Sequence, residues 1–197
     1  MMSWVDFISM IKDILMALSA LTVAGVAVWG LNSWRRELKG RADYDLARRI
    51  LRSGYKVRDA IAYFRIRWID ASEFPDGGPT IERLESGQTN LLFVYSNRWN
   101  KLMEAVREFL VDGLEVEVLW GARAYEPIKK LHETIRIDLK SALERLLAAT
   151  PRSTGEENFE KASERFHGEG NRSDYISQEI DKAIKSIEEN AREFLRK

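Results

Sequence analysis

Two histidines and no cysteine restrict the chemistry open to this 197-residue chain. Without cysteine, the chain cannot carry a disulfide scaffold, a thiolate zinc site or a cysteine nucleophile. His132 and His167 do not form an HExxH pair, and no carboxylate–histidine spacing recurs on several helices as it does in di-metal bundles. We therefore interpret both histidines as exposed or internally satisfied side chains rather than as metal ligands or catalytic groups.

The close acidic pairs also give no catalytic signal. The triplet DYD at 43–45 resembles a metal-binding motif of some glycosyltransferases, but residues two apart on a helix do not face each other. The pairs Glu115/Glu117 and Glu156/Glu157 are interpreted as solvated. No GxxxxGK[ST] or GxGxxG loop is present. The sequence thus predicts no catalytic residue, no metal, no cofactor and no small-molecule substrate.

The charges of the chain are balanced overall but separated along it. Lys and Arg number 31, as do Asp and Glu. Residues 32–70 carry eleven Lys or Arg against five Asp or Glu, a local excess of +6. Residues 1–31 sum to −1, so residues 71–197 sum to −5. This separation predicts that the basic segment faces an anionic surface.

An uncharged run of eighteen residues, 14–31, stands directly before the basic segment. At about 1.5 Å per residue this helix would extend roughly 27 Å, close to the thickness of a hydrocarbon core. Its eight Ile, Leu and Val residues contribute about −2 to −5 kcal/mol to membrane insertion. We predict a transmembrane helix, with the spanning residues Ile14, Leu15, Leu18, Leu21, Val23, Val26, Val28 and Leu31.

Two alternatives to a membrane span remain open. A signal peptide has a basic stretch before its apolar run, whereas the first thirteen residues here hold two Asp and one Lys, and no convincing small-x-small cleavage site is present. A helix buried in a soluble domain is usually polar on one face, whereas this stretch is apolar all round. Both comparisons favour the anchor.

Aromatic and basic residues flank the end of the predicted span. Indole rings prefer the membrane interface, and cytoplasmic flanks are enriched in Lys and Arg, each contributing about 1 kcal/mol with anionic lipid. The predicted contacts with lipid headgroups are Trp29, Trp34, Arg35, Arg36, Lys39 and Arg41. This pattern predicts a bacterial inner-membrane protein with its N-terminus outside and residues 35–197 in the cytoplasm, and membrane lipids as its partners.

Alanines recur on one face of the predicted span. Ala17, Ala20, Ala24 and Ala27 follow one another at intervals of three, four and three. Small residues let helix backbones approach closely in lipid, which is a main source of helix association there. We predict a helix-association face and a homo-oligomer, with ordinary alanine-rich composition as the alternative.

Beyond the span, the chain has the periodicity of amphipathic helices. One long helix is expected to continue from the span, with a kink near Gly40, to near Ala71, where SEFPDGGPT at 72–80 predicts a turn. A second helix is expected from about Thr80 to Val111, with Asp112-Gly113 as its stop. The predicted core faces are Trp34, Leu38, Leu46, Ile50, Val57, Ile61, Phe64 and Trp68 on the first helix, and Leu92, Tyr95, Trp99, Leu102, Val106 and Phe109 on the second.

The segment LEVEVLW at 114–120 alternates like a strand but has no partner strand in the sequence. Because an unpaired strand leaves backbone groups unsatisfied, we predict a helix with a break at Pro127. The third helix then continues to Ala149. Its apolar positions are Ile128, Leu131, Ile135, Leu139, Leu143, Leu146 and Leu147, and those of the last helix are Ile176, Ile180, Ile184, Ile187, Ala191 and Leu195.

These segments divide the chain into four predicted parts. They are a membrane anchor at 1–34, a basic long helix and bundle core at 35–149, a mobile connection at 150–172 with one short helix around Phe159–Phe166, and a C-terminal bundle helix at 173–197. Four long helices with short links predict an antiparallel bundle. The predicted fold is therefore all-α, with an N-terminal transmembrane helix that continues into a cytoplasmic antiparallel four-helix bundle.

Basic and aromatic residues interleave in the first long helix. The basic ones are Arg48, Arg49, Arg52, Lys56, Arg58, Arg65 and Arg67, and the aromatic ones are Tyr55, Tyr63 and Trp68. Proteins that bind single-stranded nucleic acid combine these residue types. The aromatics largely fit the core stripe, so we prefer a solvated helix face, or ion pairs between subunits with the acidic remainder, over RNA binding.

An uncharged span followed at once by WRRELKGRADYDLARRILRSGYKVRDAI and a helical domain resembles small bacterial single-pass proteins. The layout is similar to that of the membrane accessory protein of type VI-B CRISPR systems, whose helical domain is related to the HEPN bundle. The resemblance implies a ring-like oligomer that acts at the inner membrane in antiphage defence. The HEPN nuclease signature, Arg followed after four to six residues by His, is not matched: Glu126 and Pro127 precede His132, and Lys161 precedes His167.

Three functions follow from these observations, in order of preference. The first is a membrane-anchored oligomeric helical protein that acts as a pore-forming or membrane-perturbing defence effector. The second is a non-enzymatic tether that holds a cytoplasmic protein or RNA partner at the membrane. The third is a degenerate HEPN-type ribonuclease that depends on His167.

Overall fold

A computed structural model of the chain describes residues 4–74, 87–149, 156–168 and 174–195. All regular structure in these ranges is helical and no strand occurs in them, which confirms the predicted all-α class. The elements in chain order are α1 (Trp4–Phe64), a 3₁₀ turn (Ala71–Glu73), α2 (Gly87–Trp120), α3 (Ala122–Glu133), a π-helical segment (Thr134–Leu139), α4 (Lys140–Ala148), α5 (Glu156–His167) and α6 (Tyr175–Leu195).

The chain divides into two compact units, Met1–Tyr44 and Asp45–Lys197. The described part of the first unit consists of helix alone, namely the N-terminal two thirds of α1. The second unit takes the remainder of α1 together with all other helices. As predicted, the uncharged run and the long amphipathic stretch belong to one helix.

In the second unit, α1 contributes one buried stripe to the hydrophobic core. Its buried residues include Leu46, Ile50, Val57, Ile61 and Phe64, as the periodicity predicts. Trp34, Leu38 and Trp68 were predicted on the same stripe and are instead exposed. Trp34 and Leu38 belong to the first unit. Helix α1 ends at Phe64, seven residues before its predicted end, so Trp68 lies beyond the helix.

Helix α2 does not end at Asp112-Gly113, contrary to prediction, but continues to Trp120. Gly113 does not end α2 but lets it pack closely against α3. A Cβ atom built on Gly113 would lie 2.8 Å from Ile128 Cγ2. The segment 114–120 is helical, as predicted. The helix breaks at Gly121, whose φ of 90° is in the region that favours glycine. The predicted break at Pro127 is wrong, because Pro127 lies inside α3.

Helix α3, the π-helical segment and α4 form one helical stretch that extends to Ala148. Its predicted apolar positions are buried, apart from the partly buried Leu147. On α2, Leu92 was predicted in the core but is half exposed, whereas Val94, two residues later, is buried. Helix α6 buries the predicted positions Ile176, Ile180, Ile184, Ile187 and Ala191, with Leu195 partly buried.

Helix α5 lies in the segment predicted to be a mobile connection. Its residues match the short helix expected around Phe159–Phe166, but this helix also packs on the core, because Phe166 is fully buried. The Phe166 ring meets Phe64 of α1 and Tyr95 of α2 edge to face, with ring centroids 5.3 and 5.4 Å apart. The connection is therefore part of the core in its described residues, 156–168.

Polar contacts join α1 to α2 and α6 along the second unit. Ser53 Oγ donates to Asp112 Oδ2 at 2.7 Å, and Lys56 Nζ lies 2.7 Å from Glu108 Oε2. Arg49 pairs with Glu115. As residue numbers rise along α1, those of the partners on α2 fall. On the α6 side, Tyr55 OH donates to Glu188 Oε1 at 3.0 Å.

Candidate functional site

The apolar segment of α1 is exposed on every face. All side chains from residue 15 to residue 31 are solvent-exposed, with Leu21 at 73% and Trp29 at 74%. The most apolar 18-residue window of this helix has a mean hydropathy of 1.7, and none of it is buried. By length and composition, this helix could cross a membrane.

The polar side chains within the segment are satisfied by the helix itself. Ser19 Oγ donates to the carbonyl oxygen of Leu15, and Thr22 Oγ1 donates to that of Leu18, both at 2.8 Å. Such i to i−4 bonds remove unpaired hydroxyl groups from the apolar surface, as a hydrocarbon environment requires. The segment therefore presents no unsatisfied hydroxyl group at Ser19 or Thr22.

The predicted association residues lie in the same exposed part of α1. Ala17, Ala20, Ala24 and Ala27 are helical and exposed at intervals that keep them on one face. The predicted spanning residues Leu15, Leu18, Leu21, Val23, Val26, Val28 and Leu31 are also exposed, whereas the side chain of Ile14 lies outside the described residues.

The predicted headgroup residues follow on the next turns of the same helix. Trp29, Trp34, Arg35, Arg36, Lys39 and Arg41 are all exposed. Arg41 Nη2 pairs with Glu37 Oε1 at 2.6 Å, which is one turn earlier on α1. This exposed pair neutralises one of the cations, so the local positive charge comes mainly from the other three.

Arg98 is a buried cation that the sequence analysis did not single out. Its side chain is 2% exposed, and its Nε and Nη2 atoms donate to the carboxylate of Glu73 at 2.6 and 2.7 Å. Nη1 donates to the carbonyl oxygen of Ile66 and Nη2 to that of Trp68, at 2.6 and 2.7 Å. Arg98 therefore fixes the backbone that follows α1.

The bidentate contact also shifts the titration of Glu73. The hydrogen bond from Arg98 lowers the pKa of Glu73 from 4.5 to about 2, against the opposing effect of burial. Glu73 also accepts a hydrogen bond from Tyr63 OH at 3.1 Å. The glutamate stays ionised at neutral pH, so it holds Arg98 in place rather than acting as a proton donor.

Arg65 makes a second buried junction, between α1, α5 and α6. It is 8% exposed, and its Nε atom donates to the Phe166 carbonyl oxygen at 2.6 Å. Its Nη1 and Nη2 atoms donate to Ser177 Oγ at 2.8 Å and to Asp174 Oδ2 at 2.9 Å. Burial raises the pKa of Asp174, but hydrogen bonds from Ser177 and Arg65 outweigh it and hold the pKa below its ordinary value.

The two histidines lie in different parts of the second unit. His167 Nδ1 lies 2.8 Å from the Arg65 carbonyl oxygen, and its ring packs edge-on against Phe166 with centroids 4.9 Å apart. His132 is half-buried near the end of α3. Within the described ranges, no group of three or more His, Cys, Asp or Glu residues is arranged to hold a metal ion.

Arg49 and Lys56 of α1, and Arg67 beyond its end, pair with carboxylates of the same chain. Besides the pairs of Arg49 and Lys56 with α2, Arg67 Nη2 lies 3.8 Å from Glu160 Oε1 on α5. The hydrogen bond that Arg49 donates to Glu115 raises the pKa of Arg49. The prediction was either a solvated helix face or ion pairs between subunits, and the pairs observed here lie within one chain.

The burial of Arg98 is indicated by its spacing in the sequence. Tyr95, Arg98, Leu102 and Val106 follow steps of three and four on α2, so Arg98 lies on the face that carries the core residues. A cation on such a face requires a buried acceptor. The periodicity cannot identify Glu73, because their contact depends on the turn after α1.

No protein-family model, curated protein or solved structure matches this chain.

Proposed function

We propose that this protein is a single-pass membrane protein whose helical domain is held at the bacterial inner membrane by α1. One observation carries the proposal: residues 15–31 of α1 expose apolar side chains on all faces, while residues 46–64 of the same helix supply the core of the second unit. Exposing this much contiguous apolar surface to water is unfavourable, whereas lipid covers it without any partner face.

The proposed orientation places the N-terminus outside and the helical domain in the cytoplasm. It is supported by the basic residues that follow the apolar segment, since cytoplasmic flanks are enriched in Lys and Arg. Lipid headgroups would contact Trp29, Trp34, Arg35, Arg36, Lys39 and Arg41. For the helical domain we propose an antiparallel four-helix bundle, and the reversed order of contacts between α1 and α2 supports it.

We further propose that the anchors self-associate through Ala17, Ala20, Ala24 and Ala27. These small side chains share one exposed face, on which a second helix can approach closely. A pore-forming or membrane-perturbing role in antiphage defence extends this proposal and rests on the resemblance in layout.

The two other functions have weaker support. Arg49, Lys56 and Arg67 already face carboxylates of their own chain, which reduces the positive charge open to RNA. The ribonuclease function rests on the resemblance in layout alone, since neither histidine follows an Arg at the spacing of the HEPN signature. A tether for a protein partner is compatible with the anchor.

Extraction of bacterial membranes tests the anchor. We expect the full chain in the membrane pellet after alkaline carbonate treatment, with release by detergent only. A variant that lacks residues 2–40 should be recovered in the soluble fraction with helical circular dichroism, because the buried core begins at Leu46. Recovery of the full chain from the cytosol without detergent would contradict the proposal. A reporter fused after Lys197 should be active in the cytoplasm, and activity in the periplasm would reverse the orientation.

Light scattering in detergent tests the self-association. Ala20→Leu combined with Ala24→Leu fills the proposed face while keeping the segment apolar, so insertion should persist and the oligomer should weaken. Val26→Leu changes the opposite side of the helix and serves as the matched control. A parent chain that is monomeric at all concentrations would end the oligomer proposal, and an unchanged oligomer in the double variant would move the contacts to the helical domain.

A further inference from the structure

The apolar residues at the C-terminal end of α2 lie on two opposite faces of the helix. Val116 is 1% exposed and Trp120 packs against the core, whereas Leu114 and Val118 are 56% and 82% exposed. Residues two apart on a helix point in nearly opposite directions, which explains the strand-like alternation of the segment 114–120. The inner face belongs to the core of the second unit, and the outer face has no such role.

The outer face of α2 carries a continuous aliphatic stripe. Val111, Leu114 and Val118 follow one another at steps of three and four, and all three are exposed. We name these three residues the outer stripe. Exposed aliphatic residues at this spacing, on a helix whose other face is fixed in a core, are typical of a surface on which a second helix docks. The outer stripe lies entirely within the second unit.

The residue types of the outer stripe indicate a parallel pair of identical helices. In heptad notation, Val111 and Val118 occupy a positions, and Leu114 occupies the d position between them. β-Branched residues at a together with leucine at d favour parallel two-stranded coiled coils. The same register continues to Arg107 at d and Glu104 at a, both exposed. Side chains at neighbouring a and d positions of two parallel helices interleave, so each arginine has a carboxylate of the other copy within reach.

The charges beside the outer stripe favour a second copy over other occupants. Glu108 and Glu115 stand at the e positions, and they pair with Lys56 and Arg49 of their own chain. Because these carboxylates already have cations, they offer little attraction to a basic helix of another protein. They also do not suit an anionic bilayer surface, which attracts clusters of Lys and Arg. Two parallel copies bring Glu115 beside Leu110 at a g position, so no like charges meet there.

We propose that the outer stripe packs against the outer stripe of a second copy of this chain, as a short parallel two-stranded coiled coil. The residue types favour the parallel direction, which also rests on the proposed function, because copies anchored in one membrane have the same orientation. Confinement to one membrane raises the effective concentration of the second copy, which favours a contact as short as this one. The contact is distinct from the alanine face of α1, so either can form without the other.

Single cysteines test the contact, because the chain contains no cysteine of its own. A disulfide forms only between Cα atoms less than about 7 Å apart. We expect Val111→Cys, Leu114→Cys and Val118→Cys each to form a disulfide-linked dimer when bacterial membranes that hold the full chain are oxidised. Ile137→Cys, at an exposed aliphatic position outside α2, is the matched control and should remain monomeric. Absence of all three dimers overturns the proposal. A disulfide that forms only between Val111→Cys and Val118→Cys chains overturns it as well, because it indicates antiparallel copies.

A charged substitution tests whether the outer stripe stabilises the assembly. Leu114→Glu sets two carboxylates against each other at the centre of the stripe, so the dissociation constant of the full chain in detergent should rise by at least about tenfold. Ile137→Glu should leave it unchanged, and circular dichroism verifies that both variants are folded. An unchanged dissociation constant in Leu114→Glu contradicts the proposal.

Carbonate extraction of the Leu114→Cys chain separates this proposal from that of the anchor. Recovery in the membrane pellet without a cross-link contradicts the contact and leaves the anchor intact. Recovery in the cytosol contradicts the anchor, and the yield of disulfide-linked dimer measured in that fraction still decides whether the outer stripes meet.

Discussion

Residues 15–31 and residues 46–64 belong to the same helix, α1, but their apolar side chains have opposite environments. In the first stretch every side chain is exposed, and the polar groups of Ser19 and Thr22 bond back to their own helix. In the second, one stripe from Leu46 to Phe64 is buried against α2, α5 and α6, and the other faces carry charged residues. The difference lies in how apolar residues are distributed around the helix, and not in helix formation.

This comparison shows how the two stretches are stabilised. The second stretch depends on partners in the same chain, both apolar and ionic, so substitutions there change the stability of the folded domain. Under the proposed anchor function, substitutions in the exposed first stretch should change membrane association and leave the stability of the domain unaltered. Three of the four predictions that follow pair a change in the packed region with a matched change in the exposed one, and the other follows the pH dependence of the packed region alone.

Removal of the buried cation should have the largest effect. Arg98→Met leaves the Glu73 carboxylate and two backbone carbonyl groups without their donor, and breaking a buried ion pair costs about 3–5 kcal/mol. We expect the free energy of unfolding, measured by urea denaturation in detergent with near-UV circular dichroism, to fall by that amount. Arg36→Met, in the exposed region, should leave it unchanged. A loss below about 1 kcal/mol in Arg98→Met would show that this ion pair does not hold the domain together.

Truncation of a buried aliphatic side chain should have the next largest effect. Ile50 is 1% exposed, so Ile50→Ala removes core contacts and leaves a cavity, with an expected loss of about 2–5 kcal/mol. Leu21→Ala removes a similar side chain from the exposed stretch. In the same denaturation experiment it should shift the domain's unfolding free energy by less than about 0.5 kcal/mol. Similar losses in both variants would mean that the first stretch is also packed by a partner.

Acid should destabilise the packed region through Glu73. Since Arg98 holds the pKa of this carboxyl at about 2 in the folded protein, against 4.5 ordinarily, its contribution is fully present above pH 4.5. That contribution is lost as the pH falls toward 2, with a total on the order of 3 kcal/mol. Unfolding free energies measured from about pH 6 to pH 2 should therefore decrease more steeply in the parent than in Glu73→Gln. Parallel pH profiles would contradict the assignment to Glu73.

Addition of one methyl group should have the smallest effect and the clearest contrast. A Cβ at Gly113 would lie 2.8 Å from Ile128 Cγ2, so Gly113→Ala should destabilise the domain by about 1–3 kcal/mol. A Cβ atom built on Gly25 would have no neighbouring atom within 4 Å, so Gly25→Ala should leave the stability of the domain unchanged. Thermal unfolding of both variants in detergent measures this difference. Equal midpoint temperatures of unfolding in Gly113→Ala and Gly25→Ala would show that α2 and α3 can move apart without loss of stability.

Much of the helical architecture could be predicted because helices leave a local periodic signal. The apolar positions of α6 recur every three or four residues and are buried as expected, and the segment at 114–120 is helical despite its alternation. Helix ends were harder to predict. Gly113 looks like a stop signal but lies in a close contact with Ile128, and Gly121 ends α2 instead.

The positions of Trp68 and two arginines could not be predicted for a related reason. Trp68 fits the apolar stripe of α1 by spacing, yet α1 ends four residues earlier, and Arg98 then fixes the Trp68 backbone outside the helix. Arg65 and Arg67 have the spacing of a basic helix face, but Arg65 is buried at the junction with α5 and α6, and Arg67 lies beyond the helix near Glu160 of α5. Contacts between residues 30 to more than 100 positions apart decide these roles.

By itself, the sequence determined the all-helical class, the uncharged run from residue 14 to residue 31 and the basic flank after it, because each depends on residues that are neighbours along one helix. Only the tertiary structure decided where α1 ceases to be exposed, which arginines are buried and what surrounds Trp68. The physical reason is that periodicity sets which face of a helix is apolar, whereas the neutralisation of a buried charge and the surroundings of a side chain depend on partners that come from distant parts of the chain.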